Sequence, residues 1–195
     1  MMAKTLFQMA GADLTPPKLS DAVLIVIDAQ NEYVDGKLPL PGVKPALGNI
    51  ARLLAKARAD GGRIIHVQHR GGSGGAFDPA NRGFAIADEA APLAGETVVE
   101  KQLPNAFANT TLNDTLVSMG VKRLVLAGFM THMCISSTAR AALDLGYQTT
   151  VAADACATRD LPAAGGDISA AELHRAELAA LADRFSIVCN TERLV

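Results

Sequence analysis

Three residues whose side chains can carry acid–base and nucleophilic chemistry lie at or just beyond the ends of apolar runs. Asp28 follows the run AVLIVI, Lys101 ends TVVEK, and Cys134 comes a few residues after VKRLVLAG. A carboxylate can take the proton of a thiol, an ammonium can hold its neighbours in their charged forms, and backbone N–H groups can bind a developing oxyanion. Each residue taken singly also has an ordinary structural explanation. Asp28 could be a turn residue, Lys101 could be a solvated side chain, and Cys134 could be a thiol packed in the core.

The elements around these residues alternate between strand and helix. Continuous apolar runs predict buried strands, and apolar residues at helical spacing, ended by glycine or capped by Asn109, Thr110 or Ser169, predict helices. The predicted strands are residues 22–27, 63–69, 97–101, 121–127, 147–152 and 185–189, and the predicted helices are residues 42–59, 109–119, 133–145 and 169–183. We therefore predict an α/β fold, a three-layer doubly wound domain around a mainly parallel sheet. In such a sheet the carboxyl ends of the strands bring separate residues to one cleft, which here would hold the three reactive side chains.

The chain divides into two regions. Residues 1–20, which end soon after Pro16 and Pro17, are predicted to form an N-terminal arm, and residues 21–195 a single domain. The glycine-rich residues 70–95 interrupt the alternation of elements. A loop of this length is typical of a lid over a pocket, a flexible segment or a contact between subunits, and the sequence leaves these open.

Composition excludes several functional classes. The chain has 195 residues and a net charge of -2, with no basic stripe, which argues against a nucleic-acid partner. Its longest apolar run, residues 22–27, is too short to cross a membrane, and the N-terminus lacks the apolar stretch of a signal peptide. The cysteines Cys134, Cys156 and Cys189 are odd in number and widely spaced, which favours reduced thiols and a cytoplasmic location.

Four blocks of sequence, in order, resemble the isochorismatase-like cysteine hydrolases, the group that includes nicotinamidases, N-carbamoylsarcosine amidohydrolase and ureidoacrylate amidohydrolases. The blocks are LIVIDAQNEYV (24–34), VVEKQLPNAFANTTL (98–112), LVLAGFMTHMCISSTARAALDLGY (124–147) and VAADACATRD (151–160). The resemblance covers about residues 20–190. Four blocks with this spacing are far more specific than any one of them.

The resemblance implies a catalytic triad of Asp28, Lys101 and Cys134. In this interpretation Cys134 attacks a carbonyl, Asp28 is the general base and Lys101 supports the charges. It also implies a cis peptide bond between Phe129 and Met130, and an oxyanion hole formed by the N–H groups of Met130 and Cys134.

The sequence departs from the metal-dependent members of the family. Nicotinamidases bind a metal through an Asp-x-His motif after the second strand, and the matching stretch here reads HRGG, with His69 near the Asp position. His66 and His69 are three residues apart on a strand, so their side chains point to opposite faces and make a poor ligand pair. We therefore predict no metal and no other cofactor.

Several further residues are candidates for the walls of a substrate pocket. We assign aromatic and polar side chains near the motifs to these walls, although ordinary core packing explains each aromatic equally well. These residues are Tyr33, His69, Phe107 and Phe129. Arg82 and Arg159 are candidates for binding a carboxylate, with solvated surface as the alternative.

The expected activity is thiol-dependent hydrolysis of a C–N bond in a small amide or ureido compound, through a thioester acyl-enzyme. The alternative within the family is an isochorismatase-type hydrolysis of a vinyl ether, which needs no thiol. A nucleotide-binding module is disfavoured because no phosphate-binding glycine motif follows the first strand, and a thiol redox protein would need a nearby second cysteine. The resemblance also implies a homo-oligomer, a dimer or larger.

Overall fold

The computed structural model describes residues 3–195, in which helices and strands alternate along most of the chain. The helices are α1 (Leu6–Met9), α2 (Val43–Ala59), α3 (Leu112–Ser118), α4 (Ser136–Asp144) and α5 (Ala170–Arg184). The strands are β1 (Val23–Ile27), β2 (Arg63–His69), β3 (Thr97–Lys101), β4 (Arg123–Phe129), β5 (Gln148–Ala157), β6 (Leu161–Ala163), β7 (Gly166–Ile168) and β8 (Ser186–Cys189).

Six strands form one parallel sheet in the order β3-β2-β1-β4-β5-β8. The chain winds outward from β1 to β3, returns to β4 beside β1, and then winds outward on the other side. Every residue of β1 is buried, as a continuous apolar run in a central parallel strand predicts. The switch in winding direction lies between β1 and β4, where α/β sheets bind their ligands.

Two apolar cores, one on each face of the sheet, give the domain its three layers. Helix α2 supplies seven buried residues to the first core, because its apolar positions recur at helical spacing. Helices α3 and α4, together with Leu181 of α5, pack into the second core. The predicted doubly wound α/β class is confirmed.

Most predicted elements agree with the structure to within two residues at each end, and three differ in more than that. Strand β5 continues to Ala157 instead of residue 152, after an irregularity in its pairing with β4. Helix α3 begins at Leu112, and Asn109 does not cap it, because Asn109 has a left-handed φ of 58°. The predicted helix 133–145 is a tight π-helical turn over Thr131–Ile135 that continues into α4. The Ser169 cap is confirmed, since its hydroxyl accepts a hydrogen bond from the Glu172 N–H.

The N-terminal segment packs against the last helix. The Leu6 N–H donates to Asp183 Oδ1 at 2.8 Å, and the Arg184 guanidinium lies over the Phe7 ring, 5.3 Å from its centroid. The first two residues of the predicted arm lie outside the described residues. Across residues 3–195, no helix is both long and apolar enough to cross a membrane.

Candidate active site

The three reactive residues meet in one buried group, although they lie on three different strand ends. Lys101 Nζ is 2.7 Å from Asp28 Oδ2 and 3.4 Å from Cys134 Sγ. The exposed fractions are 0 % for Asp28, 2 % for Lys101 and 4 % for Cys134. The ammonium therefore bridges the carboxylate and the thiol in a site that is largely closed to water.

The backbone after β1 and β4 sets the position of this group. Asp28 has a left-handed φ of 52°, and its N–H donates to Val67 O of β2 at 2.8 Å, so the residue turns sharply where β1 ends. Gly128 lies so close to β1 that a Cβ there would be 1.9 Å from Ile27 O. Only glycine fits this approach, which brings the ends of β1 and β4 together.

A tight turn after β4 presents the thiol. The N–H groups of Met133 and Ile135 both donate to Met130 O, at 3.0 and 3.2 Å. The peptide bond between Phe129 and Met130 is cis. The Met130 N–H donates no hydrogen bond to any acceptor within residues 3–195, and it lies four residues from Cys134 along this turn.

Burial governs the protonation of the site. Burial, followed by the negative charge of Asp28, raises the pKa of Cys134 to about 12, while the positive charge of Lys101 opposes the rise. Burial also raises the pKa of Asp28, again opposed by Lys101. The thiol is therefore protonated at neutral pH, which differs from the expectation that the ammonium holds its neighbours in their charged forms, because desolvation outweighs the charge of Lys101.

His69 joins the group from β2. Its Nδ1 lies 3.1 Å from Lys101 Nζ. Burial, followed by the positive charge of Lys101, lowers the pKa of His69 to about 4, so the ring is neutral at physiological pH. His66, three residues earlier, contacts Glu96 instead at 2.8 Å. Within the described chain, no three His, Cys, Asp or Glu side chains cluster as metal ligands would.

Aromatic rings form one side of the site, here called the aromatic wall: Tyr33, Phe77, Phe129 and the His69 ring. Tyr33 meets Phe77 and Phe129 edge to face at centroid distances of 5.0 and 5.7 Å, and His69 meets Phe77 at 5.1 Å. Phe77 comes from the loop of residues 70–95 and has a left-handed φ of 57°. Sequence reasoning missed it, because no local pattern in a glycine-rich loop indicates which side chain turns inward.

Phe107, a predicted wall residue, is placed elsewhere. It stacks on Tyr147 at 5.9 Å, and Tyr147 directly precedes β5, at the opposite end of the sheet from Cys134. The structure therefore brings Tyr33, His69 and Phe129 together and leaves Phe107 apart, because the residues after Lys101 carry the chain towards α3.

The two arginine candidates differ sharply. Arg82 pairs with Asp35 at 2.5 Å on the surface, where both side chains are more than half exposed. Arg159 follows the end of β5, and its charge opposes the rise in the pKa of Tyr33 that burial causes. The buried Nε of Arg159 has no hydrogen-bond partner among residues 3–195.

The other two cysteines are buried and unpaired. Cys156 lies in β5 beside Gly128 of β4, and burial raises the pKa of its thiol to about 12. Burial also raises the pKa of the Cys189 thiol, with Arg193 opposing the rise.

Comparison with known proteins gives a consistent result. Residues 22–193 match the family profile of the isochorismatase domain. A secreted isochorismatase effector of Verticillium dahliae is 38% identical over 185 residues, which cover 94% of this chain and 95% of that protein. A ureidoacrylate amidohydrolase of Stutzerimonas stutzeri is 30% identical over 175 residues, covering 71% of this chain and 70% of that protein.

A solved structure shows the same architecture over the whole length. The crystal structure of an isochorismatase from Pseudomonas putida KT2440 superposes with a TM-score of 0.96 at 47% identity, and covers 100% of both chains.

Proposed function

The chain belongs to the isochorismatase family and is a hydrolase; from that premise we propose that it cleaves a C–N bond in a small amide or ureido compound through a thioester on Cys134. The single observation that carries the proposal is the buried contact of Lys101 with both the Cys134 thiol and the Asp28 carboxylate. The similarity to a ureidoacrylate amidohydrolase supports the choice of bond.

The first half-reaction uses Asp28 as the general base. Because the thiol pKa is about 12, Cys134 needs a base to remove its proton as Sγ attacks the carbonyl carbon. The oxyanion that forms is assigned to the N–H groups of Met130 and Cys134, and the unused Met130 N–H supports that assignment. Asp28 then gives its proton to the leaving nitrogen as the C–N bond breaks.

The second half-reaction returns the enzyme to its starting state. Asp28, again a carboxylate, takes a proton from water as the water oxygen attacks the thioester carbon. The C–S bond breaks, the sulfur regains the proton from Asp28, and the acid product leaves. Lys101 remains an ammonium throughout and stabilises whichever neighbour carries the negative charge.

The surroundings of the thiol indicate the kind of substrate. The aromatic wall suits a small planar compound, since rings favour flat partners. The unpartnered Nε of Arg159 supports a substrate that carries a carboxylate. The contact of Phe77 with Tyr33 and His69 supports a lid role for residues 70–95.

The wider setting of the enzyme also remains a proposal. We propose an N-terminal arm of residues 1–20 on a single domain of residues 21–195, assembled as a homo-oligomer. The free cysteines support the reducing cytoplasm as the compartment.

The function is tested by ammonia release from a panel of small amides and ureides, with and without terminal carboxylates, after chelator treatment. We expect turnover by the wild type and a loss of at least about a thousandfold in Cys134→Ala, since the covalent step is removed. Cys156→Ala is the matched control and should retain activity.

A vinyl ether hydrolase is the second candidate, favoured by the similarity to the Verticillium dahliae isochorismatase effector. That reaction needs no thiol. Vinyl ether turnover that survives Cys134→Ala, together with no ammonia from any amide, would replace the first candidate with the second.

A further inference from the structure

The Lys101 ammonium has three N–H bonds and three neighbours, two of them buried and the third, His69, half-buried, and only the two buried ones belong to the proposed chemistry. Asp28 Oδ2 is at 2.7 Å and Cys134 Sγ at 3.4 Å. The third neighbour is His69 Nδ1 at 3.1 Å. An ammonium donates hydrogen bonds and cannot accept them, so His69 Nδ1 must present its lone pair to Lys101.

This contact fixes the tautomer of the ring. A neutral imidazole carries a single proton, and with Nδ1 as the acceptor that proton lies on Nε2. The pairing follows from the sheet, because His69 and Lys101 are partners in the parallel register of β2 and β3, and paired residues point to the same face. The last residue of β2 therefore reaches the last residue of β3.

Gln30 holds the backbone of His69 in place. The His69 N–H donates to Gln30 Oε1 at 2.8 Å, and Gln30 Nε2 donates to His69 O at 2.9 Å. Gln30 Nε2 also donates to Phe84 O at 2.7 Å, and the whole Gln30 residue is buried. Gln30 is two residues after Asp28, so the turn that carries the proposed base also holds the His69 backbone by hydrogen bonds.

We propose that His69 is a positioning residue, which accepts the third hydrogen bond of Lys101 as the Nε2–H tautomer and so holds the ammonium on Cys134, with Gln30 fixing the backbone of His69. The role of His69 in catalysis rests on the proposed function, whereas the hydrogen bonds of His69 do not depend on the substrate. Without its third acceptor, Lys101 would have one buried N–H with no hydrogen-bond partner. Three hydrogen bonds would then no longer fix the position of the ammonium over the thiol.

The decisive test is the tautomer of His69, read from long-range ¹H–¹⁵N spectra of the uniformly labelled protein at pH 7. The His69 signals are assigned by their absence in His69→Asn. We expect a protonated Nε2 and an unprotonated Nδ1. A ring protonated on Nδ1, or on both nitrogens, overturns the proposal.

The second test measures the rate at which iodoacetamide alkylates Cys134 at pH 9, followed by peptide mass mapping. Asparagine can place an acceptor oxygen where Nδ1 lies, and leucine cannot. We expect His69→Asn to stay within about threefold of the wild type and His69→Leu to react about tenfold more slowly, since a hydrogen bond to a charged group is lost. Equal rates in the two variants overturn the proposal.

The matched control is His66→Gln, on the same strand and the opposite face. Glutamine keeps a donor for Glu96, and the variant has no contact with Lys101, so its rate should equal that of the wild type. Neither test uses a substrate. If both give the expected result and no amide is hydrolysed, the proposed function fails while the role of His69 stands.

Discussion

Cys134 is a protonated thiol in the resting enzyme, and its neighbours act on it in opposite directions. Burial and the Asp28 carboxylate raise its pKa and Lys101 lowers it, with a net value of about 12. The carboxylate that we propose as the base therefore also disfavours the free thiolate. In the proposed mechanism, the charges separate only when a substrate accepts the electrons of the sulfur, which would protect the thiol from unproductive reactions.

This opposition yields a prediction for Asp28→Asn. Removing the carboxylate lowers the pKa of Cys134, so the thiol should react about tenfold faster with iodoacetamide at pH 9, where a one-unit fall in pKa gives that change. Amide hydrolysis should fall by at least about a hundredfold, because the general base is lost.

The comparison is Lys101→Met, which removes the charge that lowers the thiol pKa. It should slow both alkylation and hydrolysis. Slower alkylation in Asp28→Asn than in the wild type would contradict the assigned role of the carboxylate.

At the scale of elements, Glu96 joins helix α2 to strand β2, outside the reactive group. Its carboxylate accepts hydrogen bonds from Arg58 of α2, from Nε at 2.8 Å and from Nη2 at 2.9 Å. It also lies 2.8 Å from His66 Nε2 of β2. The Arg58 hydrogen bonds lower the pKa of Glu96 to about 2. The carboxylate therefore ties α2 to β2 just before β3 begins.

We expect Glu96→Gln to lower the free energy of unfolding at pH 7 by about 2 kcal/mol, since hydrogen bonds to a charged group are weakened. A carboxyl group whose pKa is lower in the folded state than in the unfolded state stabilises the fold at pH values above its unfolded pKa. That stabilisation is lost as the pH falls towards the pKa of the folded state. The difference between the variant and the wild type should therefore shrink as the pH falls from 4.5 towards 2.

Chemical denaturation across this pH range measures the effect. Glu100→Gln is the control, because its ion pair with Arg70 is exposed and such pairs contribute little. An equal loss in both variants, or a difference that is independent of pH, would contradict the account of Glu96.

At the scale of the whole molecule, the sequence indicated the sheet and the residues at its strand ends. The run over residues 22–27 predicted a strand buried on both faces, and β2 and β3 have the predicted bounds of 63–69 and 97–101. Parallel winding then required Asp28, Lys101 and Cys134 to approach one another. Alternation along β2 likewise separated His66 from His69.

The parts that escaped prediction depend on contacts between distant segments. Phe77 reaches the aromatic wall only because its backbone adopts a left-handed φ in a glycine-rich loop. The β6–β7 hairpin and the extension of β5 arise after an irregular pairing with β4, which local sequence patterns do not reveal. The desolvation that raises the Cys134 pKa is also a property of the assembled core, which the sequence around Cys134 does not reveal.

The most direct test of the central claim is rapid acid quenching of the wild-type enzyme during hydrolysis of an amide substrate, followed by intact and peptide mass spectrometry. We predict an added mass equal to the acyl part of the substrate, located on Cys134 and absent in Cys134→Ala. An unmodified Cys134 throughout turnover, combined with undiminished hydrolysis by Cys134→Ala, would contradict covalent catalysis by this thiol.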